Sequence, residues 1–141
     1  MAMAPSGPRP VLLLTLALLV ASLTLSSGMP WNLLNDIFNQ HHVDHPKTLP
    51  SNLNTYCNNM MWKRGIYWKL VNTFIHKPIP SINSICSGGG TDIQGGLRRS
   101  TAVFLTTKCT FNPLIFSYTG TQISRQIVIT CWKGLPVNYR E

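Results

Sequence analysis

The chain has 141 residues, enough for one domain, with 12 Lys and Arg against 4 Asp and Glu and a formal net charge of +8. Its four cysteines show no Cys-x-x-Cys or Cys/His spacing of the kind that holds zinc, so neither a metal nor a cofactor is expected. A chain this basic is drawn to polyanions such as RNA, heparan-type sugars or anionic membranes, and the charge does not choose among them.

Arg9 lies in a short basic start, Val11 to Leu25 is almost wholly apolar, and Ser26-Ser27-Gly28 is small. That order predicts a signal peptide over residues 1–28, cleaved near Gly28. The apolar run falls short of the roughly 20 residues a membrane helix needs. The expected mature protein is one secreted domain, residues 29–141. It keeps 11 basic residues, all but Arg9, against 4 acidic ones, a net charge of +7. In an oxidising compartment the even cysteine count reads as two disulfides, with three connectivities open.

Trp31 to His42 has apolar residues at 33, 34, 37 and 38, which is helical spacing, and Pro46 and Pro50 end that segment. The adjacent His41 and His42 near its end are candidates for a base and its neighbour, or for solvated polar residues. Tyr56 to Lys63 predicts a second helix, with Tyr56, Met60 and Met61 on one side and Lys63-Arg64-Gly65 as its stop. Trp68 to His76 predicts a strand whose Val-Asn-Thr-Phe-Ile core alternates apolar and polar. Alternation places Lys69, Val71 and Thr73 on one face and Leu70, Asn72 and Phe74 on the other. An ammonium and a hydroxyl on one face suit a phosphate and a base, or simply an ordinary strand with a snorkelling lysine.

Ile82, Ile85 and Cys86 predict a short third helix. Gly88 to Gly90 and Gly95-Gly96 then bracket a flexible loop ending in Leu97-Arg98-Arg99, without the lysine of a phosphate-binding loop. Thr101 to Cys109, Ile115 to Thr119 and Ile123 to Cys131 predict strands, with turns at Asn112-Pro113 and Thr119-Gly120. Gly134 to Val137 leads into a last short extended piece. Helices first and strands later give an α+β domain.

The motifs in order are Gln40-His41-His42-Val43-Asp44, Tyr56-Cys57-Asn58, Lys69-Leu70-Val71-Asn72-Thr73-Phe74-Ile75-His76, Ser84-Ile85-Cys86, Thr107-Lys108-Cys109 and Ile129-Thr130-Cys131. This order resembles the pancreatic-type ribonuclease superfamily over nearly the whole mature chain, from about Phe38 to Tyr139. Arg64-Gly65 and Gly134-Leu135-Pro136-Val137 are most similar to its angiogenin branch. The resemblance implies three short helices with a curved antiparallel sheet, a cleft between two arms, a monomer, and the pairing Cys57–Cys109 and Cys86–Cys131. It implies that His42 is the general base toward the ribose 2′-hydroxyl, that Lys69 stabilises the charged transition state, and that Thr73 reads a pyrimidine base. His41 takes the place of a family glutamine beside the substrate.

Where the family carries its general-acid histidine, after Pro136-Val137, this chain has Asn138. Where the family carries the aspartate that orients that histidine, it has Arg140. A carboxamide has no proton to release in the working pH range. The family's third bridge would join the positions of Trp68 and Phe116, both aromatic here, and the two rings are expected to pack together in its place. The reading is therefore an inactive ribonuclease-like protein acting by binding, with RNA or another polyanion as a weak partner and an anionic membrane or a cell-surface receptor as further candidates. A reproductive-tract or host-defence setting is what the resemblance implies. Two alternatives stand beside it: a weak pyrimidine-preferring endoribonuclease using His42 and Lys69, and a cationic antimicrobial protein.

Overall fold

In the computed structural model the described residues run from Trp31 to Glu141. The expected signal peptide, residues 1–28, lies outside them. The described residues carry helices α1 (Trp31–His42), α2 (Leu53–Lys63) and α3 (Ile79–Asn83), and a 3₁₀ turn over Ser84–Cys86. Their strands are β1 (Val71–Ile75), β2 (Gly90–Gln94), β3 (Leu97–Ser100), β4 (Phe104–Asn112), β5 (Ser117–Arg125), β6 (Val128–Trp132) and β7 (Leu135–Tyr139). Pairing divides the strands into two antiparallel sheets, ordered β1-β4-β5 and β2-β3-β6-β7.

Each sheet has its own core and its own disulfide. Helix α2 lays Tyr56, Met60 and Met61 against Phe74 and Tyr118, around Cys57–Cys109. Phe38 of α1, Ile82 and Ile85 pack with Phe104, Ile127, Ile129 and Tyr139, beside Cys86–Cys131. Strand β1 is the wall between them. Its Phe74 belongs to the first core and Ile75 to the second, as alternation along a strand requires. Asn72 and Thr73 continue the same alternation, so two polar side chains are buried on this wall beside the cores.

The local signals explain most element ends. The Asn52 side chain accepts from Thr55 N at 3.0 Å, which starts α2 three residues before the predicted Tyr56. Gly65 closes α2 at a φ of +72°, a value that suits glycine, and Ile66 N returns to Met61 O at 2.9 Å. The stripe that α1 buries is Asn35, Phe38 and His42, while Leu33 and Ile37 face out. His42 thus lies on the core side of its helix. Burying the polar Asn35 is tolerated because its Nδ2 donates to Pro136 O on β7 at 2.8 Å.

Two sequence expectations fail here. The glycine-bracketed segment is a hairpin and not a flexible loop: Gly90–Gln94 pairs with Leu97–Ser100. Gly95 and Gly96 supply its turn at φ of +61° and +82°. Arg98 fastens the hairpin by donating to the carbonyls of Ile85 at 2.6 Å and of Ser87 and Gly90 at 2.7 Å. Thr119-Gly120 is not a turn but the middle of β5, opposite Thr110 and Cys109. A Cβ at Gly120 would meet Leu53 O at 2.5 Å and Cys57 Sγ at 2.9 Å, so the glycine marks the close approach of α2 to the sheet.

The expected packing of Trp68 on Phe116 is also absent among the described residues. Trp68 is 70% exposed and turns its edge to His41, with ring centroids 6.4 Å apart. Phe116 is 79% exposed and meets Phe111 edge-on at 6.4 Å. Phe116 sits at a φ of +49°, beyond the end of β4, which directs its ring back to its own hairpin. Two rings left in water recover little of the burial energy that a contact in place of the bridge would have supplied.

Candidate functional site

The C-terminal turn of α1, the segment before β1, β1 itself and the end of β7 bring the predicted residues together. His42 is 5% exposed, and its ring stacks on Tyr139 of β7 at 5.1 Å. Its Nδ1 lies 2.9 Å from Thr73 O. A carbonyl can only accept, so Nδ1 carries the proton and Nε2 keeps a free lone pair. Burial pushes the His42 pKa down from 6.5 to about 3. The Thr73 carbonyl pulls it back up, and the nearby Lys69 and His41 depress it further. The ring is therefore neutral across the physiological range and is arranged as a proton acceptor.

Lys69 lies just before β1. Its Nζ donates to Asn72 Oδ1 at 2.9 Å and reaches His41 Nδ1 at 3.5 Å. Sequence alternation assigned Lys69 and Asn72 to opposite faces. They meet because the regular strand begins only at Val71, so Lys69 stands outside its alternation. Asn72 is fully buried and also donates from Nδ2 to His41 O at 2.8 Å. One amide thus positions the lysine and ties β1 to the end of α1, a role sequence reasoning missed. Burial lowers the Lys69 pKa, while the Glu141 carboxylate acts in the opposite direction. Burial also lowers the His41 pKa, and the Lys69 charge adds to it.

Thr73 presents two donors to the cleft, and both are taken. Its N donates to Glu141 Oε2 at 3.1 Å and its Oγ1 to Glu141 Oε1 at 2.6 Å. The carboxylate grips the threonine with both oxygens, a charge-assisted arrangement. Sequence reading passed over Glu141 because a single acid 68 positions away carries no periodic or motif signal. Asn138 is exposed on β7, opposite Thr130 and next to the Tyr139 that covers His42.

The remaining motif residues form a different cluster. Asp44 is buried and accepts from Tyr56 OH at 2.6 Å, Thr48 Oγ1 at 2.7 Å and Thr48 N at 2.9 Å. Burial works against its charge, yet these bonds and His76 hold the carboxyl below its usual value. Arg64 adds an ion pair at 3.7 Å. His76 is fixed between Asp44 O at 2.8 Å and Thr107 Oγ1 at 2.7 Å, and burial lowers its pKa. This network joins α1, α2, β1 and β4 and engages both ring nitrogens of His76. Among the described residues no group of His, Cys, Asp and Glu is arranged to hold a metal ion.

Comparison with known proteins gives this geometry a family. The model for pancreatic ribonuclease matches residues 35–140. A ribonuclease of Chelonia mydas is 40% identical over 111 residues, covering 72% of this chain and 92% of that protein. Gallus gallus angiogenin is 35% identical over 131 residues, covering 86% and 89%. The crystal structure of green turtle egg white ribonuclease matches with a TM-score of 0.73 at 38% identity, covering 77% of this chain and 97% of that one. With both disulfides and the motif order in agreement, the chain belongs to the pancreatic ribonuclease family.

Proposed function

We propose that this is a secreted, basic member of the ribonuclease family that binds RNA or a similar polyanion and cleaves it poorly. Cleavage through the ribose 2′-hydroxyl needs a base for that proton, a cation for the charge that develops on phosphorus, and an acid for the departing oxygen. His42, with Nε2 free, is suited to the first task and Lys69 to the second. Asn138 offers no proton for the third. Losing an acid catalyst costs about 10²–10⁴-fold. The observation that carries the reading is the Glu141 carboxylate on both donors of Thr73. A base entering there must displace an anion from its two hydrogen bonds, and the incoming phosphate meets like charge. The net charge of +7 on residues 29–141 still favours polyanion binding at the surface. Secretion is supported by the apolar run before Ser26 and by the two disulfides.

The test uses refolded residues 29–141, free of contaminating nucleases. Turnover of uridylyl-adenosine is expected to be at least 10²-fold below that of an active relative measured alongside, on the scale of a lost acid. Binding of poly(U) is expected to weaken steeply with salt. Turnover equal to the relative's overturns the proposal. The orientation of His42 specifically favours one second reading, a weak endoribonuclease in which water serves as the acid. Residual cleavage that disappears in His42→Ala supports it.

A further inference from the structure

We infer that Trp68 and Trp62 form a stacking track for single-stranded RNA that leads out of the cleft past Lys69. The inference rests on the RNA-binding reading above and adds where the strand runs. Trp68 is the rim of the cleft: its ring stands edge-on to His41, and Lys69 Nζ lies 6.0 Å from its centroid. On its other side Trp68 lines an open depression of about 310 Å³ with Gly65, Tyr67 and Trp62. Trp62 and Tyr67 then line a second, of about 650 Å³, with Lys63, Asn58 and Asn59. The two depressions share residues and form one path from the lysine outward.

The indoles are displayed, not discarded. Trp62 is 75% and Trp68 70% exposed, a large apolar area to leave in water on a small domain. Yet Trp62 is braced from behind. Tyr67 meets it edge-on at 5.9 Å, and Tyr67 is held in turn by Tyr118 at 5.0 Å and by its hydroxyl on Asn58 Oδ1 at 3.0 Å. Gly65, whose added Cβ would meet nothing within 4 Å, keeps the ground between the two rings low. Rings supported on one side and open on the other are platforms for nucleobases, and every base has a face to stack.

Charge selects the occupant. Lys63 lies along the path and Lys69 at its inner end, and the acids Asp36, Asp44, Asp92 and Glu141 do not line either depression. A second copy of residues 29–141, with net charge +7, would bring repulsion. A lipid bilayer favours an unbroken apolar surface, whereas asparagines, lysine and a tyrosine hydroxyl interrupt this one. An anionic strand with alternating phosphates and aromatic faces matches cations and indoles together.

The probe is a 2′-fluoro octauridylate, which has no 2′-hydroxyl through which to be cleaved, compared with the 2′-fluoro dinucleotide, at low salt. Trp62→Ala and Trp68→Ala are each expected to weaken octamer binding by about 5- to 150-fold, the range measured for lost base stacking. Trp62→Ala leaves the dinucleotide unchanged, and Trp132→Ala, an exposed indole on β6, leaves both unchanged. Wild-type tryptophan fluorescence is quenched by the octamer, and the quenching falls in both variants. Octamer affinity within twofold of wild type in the double variant overturns the track while the RNA reading stands. No octamer binding by the wild-type chain overturns both. If the double variant instead loses only its binding to phosphatidylserine–phosphatidylcholine vesicles, the patch is a membrane surface and the track is wrong.

Discussion

Replacing Glu141 by alanine frees the two donors of Thr73 that the carboxylate now holds at 3.1 and 2.6 Å. A hydrogen bond to a charged group contributes about 1.5–3 kcal/mol when sheltered. Glu141 itself is exposed, so about 1 kcal/mol for each bond is the better figure here. Before a base can occupy Thr73, roughly 2 kcal/mol of closed-state contact must be given up, which is a factor of about 30 in apparent affinity. Glu141→Ala should therefore bind uridine 3′-phosphate about 30-fold more tightly than wild type by calorimetric titration. Glu141→Gln should fall between them, because its amide keeps an acceptor but drops the charge. The repulsive share should fade at high salt, where screening acts within a few ångströms, and the hydrogen-bonding share should persist. Adenosine 3′-phosphate should gain less than the uridine ligand in Glu141→Ala. An affinity for uridine 3′-phosphate unchanged within twofold would show that the carboxylate does not hold the site closed.

Asn138→His should raise uridylyl-adenosine cleavage only modestly while Glu141 holds Thr73, and the double change with Glu141→Ala should approach the 10²–10⁴-fold gain of a restored acid. A single variant as active as the double one refutes the coupling. Acid stability follows from His42. Its folded pKa lies near 3 and its unfolded value near 6.5, so the unfolded chain takes up the proton first as pH falls. The stabilisation is complete above pH 6.5 and is lost progressively down to about pH 3, a total of about 5 kcal/mol. His42→Gln should show a shallower fall of urea midpoint over that window, and an unchanged slope refutes it.

The residues of the cleft were legible in sequence to different depths. His42, Lys69 and Thr73 stood out locally by residue type on a helix end and a strand, and the family resemblance supplied their roles. The pairing of Cys57 with Cys109 and Cys86 with Cys131 came from family resemblance, since spacing alone left three choices. What stayed hidden depends on distant contacts. Asn72 reads as one polar residue of an alternating strand, and only the fold shows it between Lys69 and the end of α1. Glu141 enters the sequence reading only in the charge count, and the fold alone shows it on Thr73. Gly120 and Gly95-Gly96 share a residue type, yet one marks close packing against α2 and the others a hairpin turn. A glycine states that a side chain would be in the way or that the backbone is unusual, and sequence does not say which.

His42 poses the deeper question of whether this cleft can act as a base at all. A proton acceptor works best with its pKa near the working pH, and in the closed site His42 lies far below it. Burial is the largest cause and is built into α1 and Tyr139. The charges of Lys69 and His41 are different, because a bound phosphate can offset them. An opposite charge within about 4–6 Å shifts a pKa by about 1–3 units. Saturating the site with uridine 3′-phosphate should therefore raise the His42 pKa by about that much, read from its ring carbon proton by NMR. Lys69→Gln should raise it without ligand and blunt the response to ligand. If phosphate perturbs the Lys69 resonances and His42 does not move, burial alone sets this base. Restoring an acid at Asn138 would then leave it facing a partner too weak to complete the proton relay.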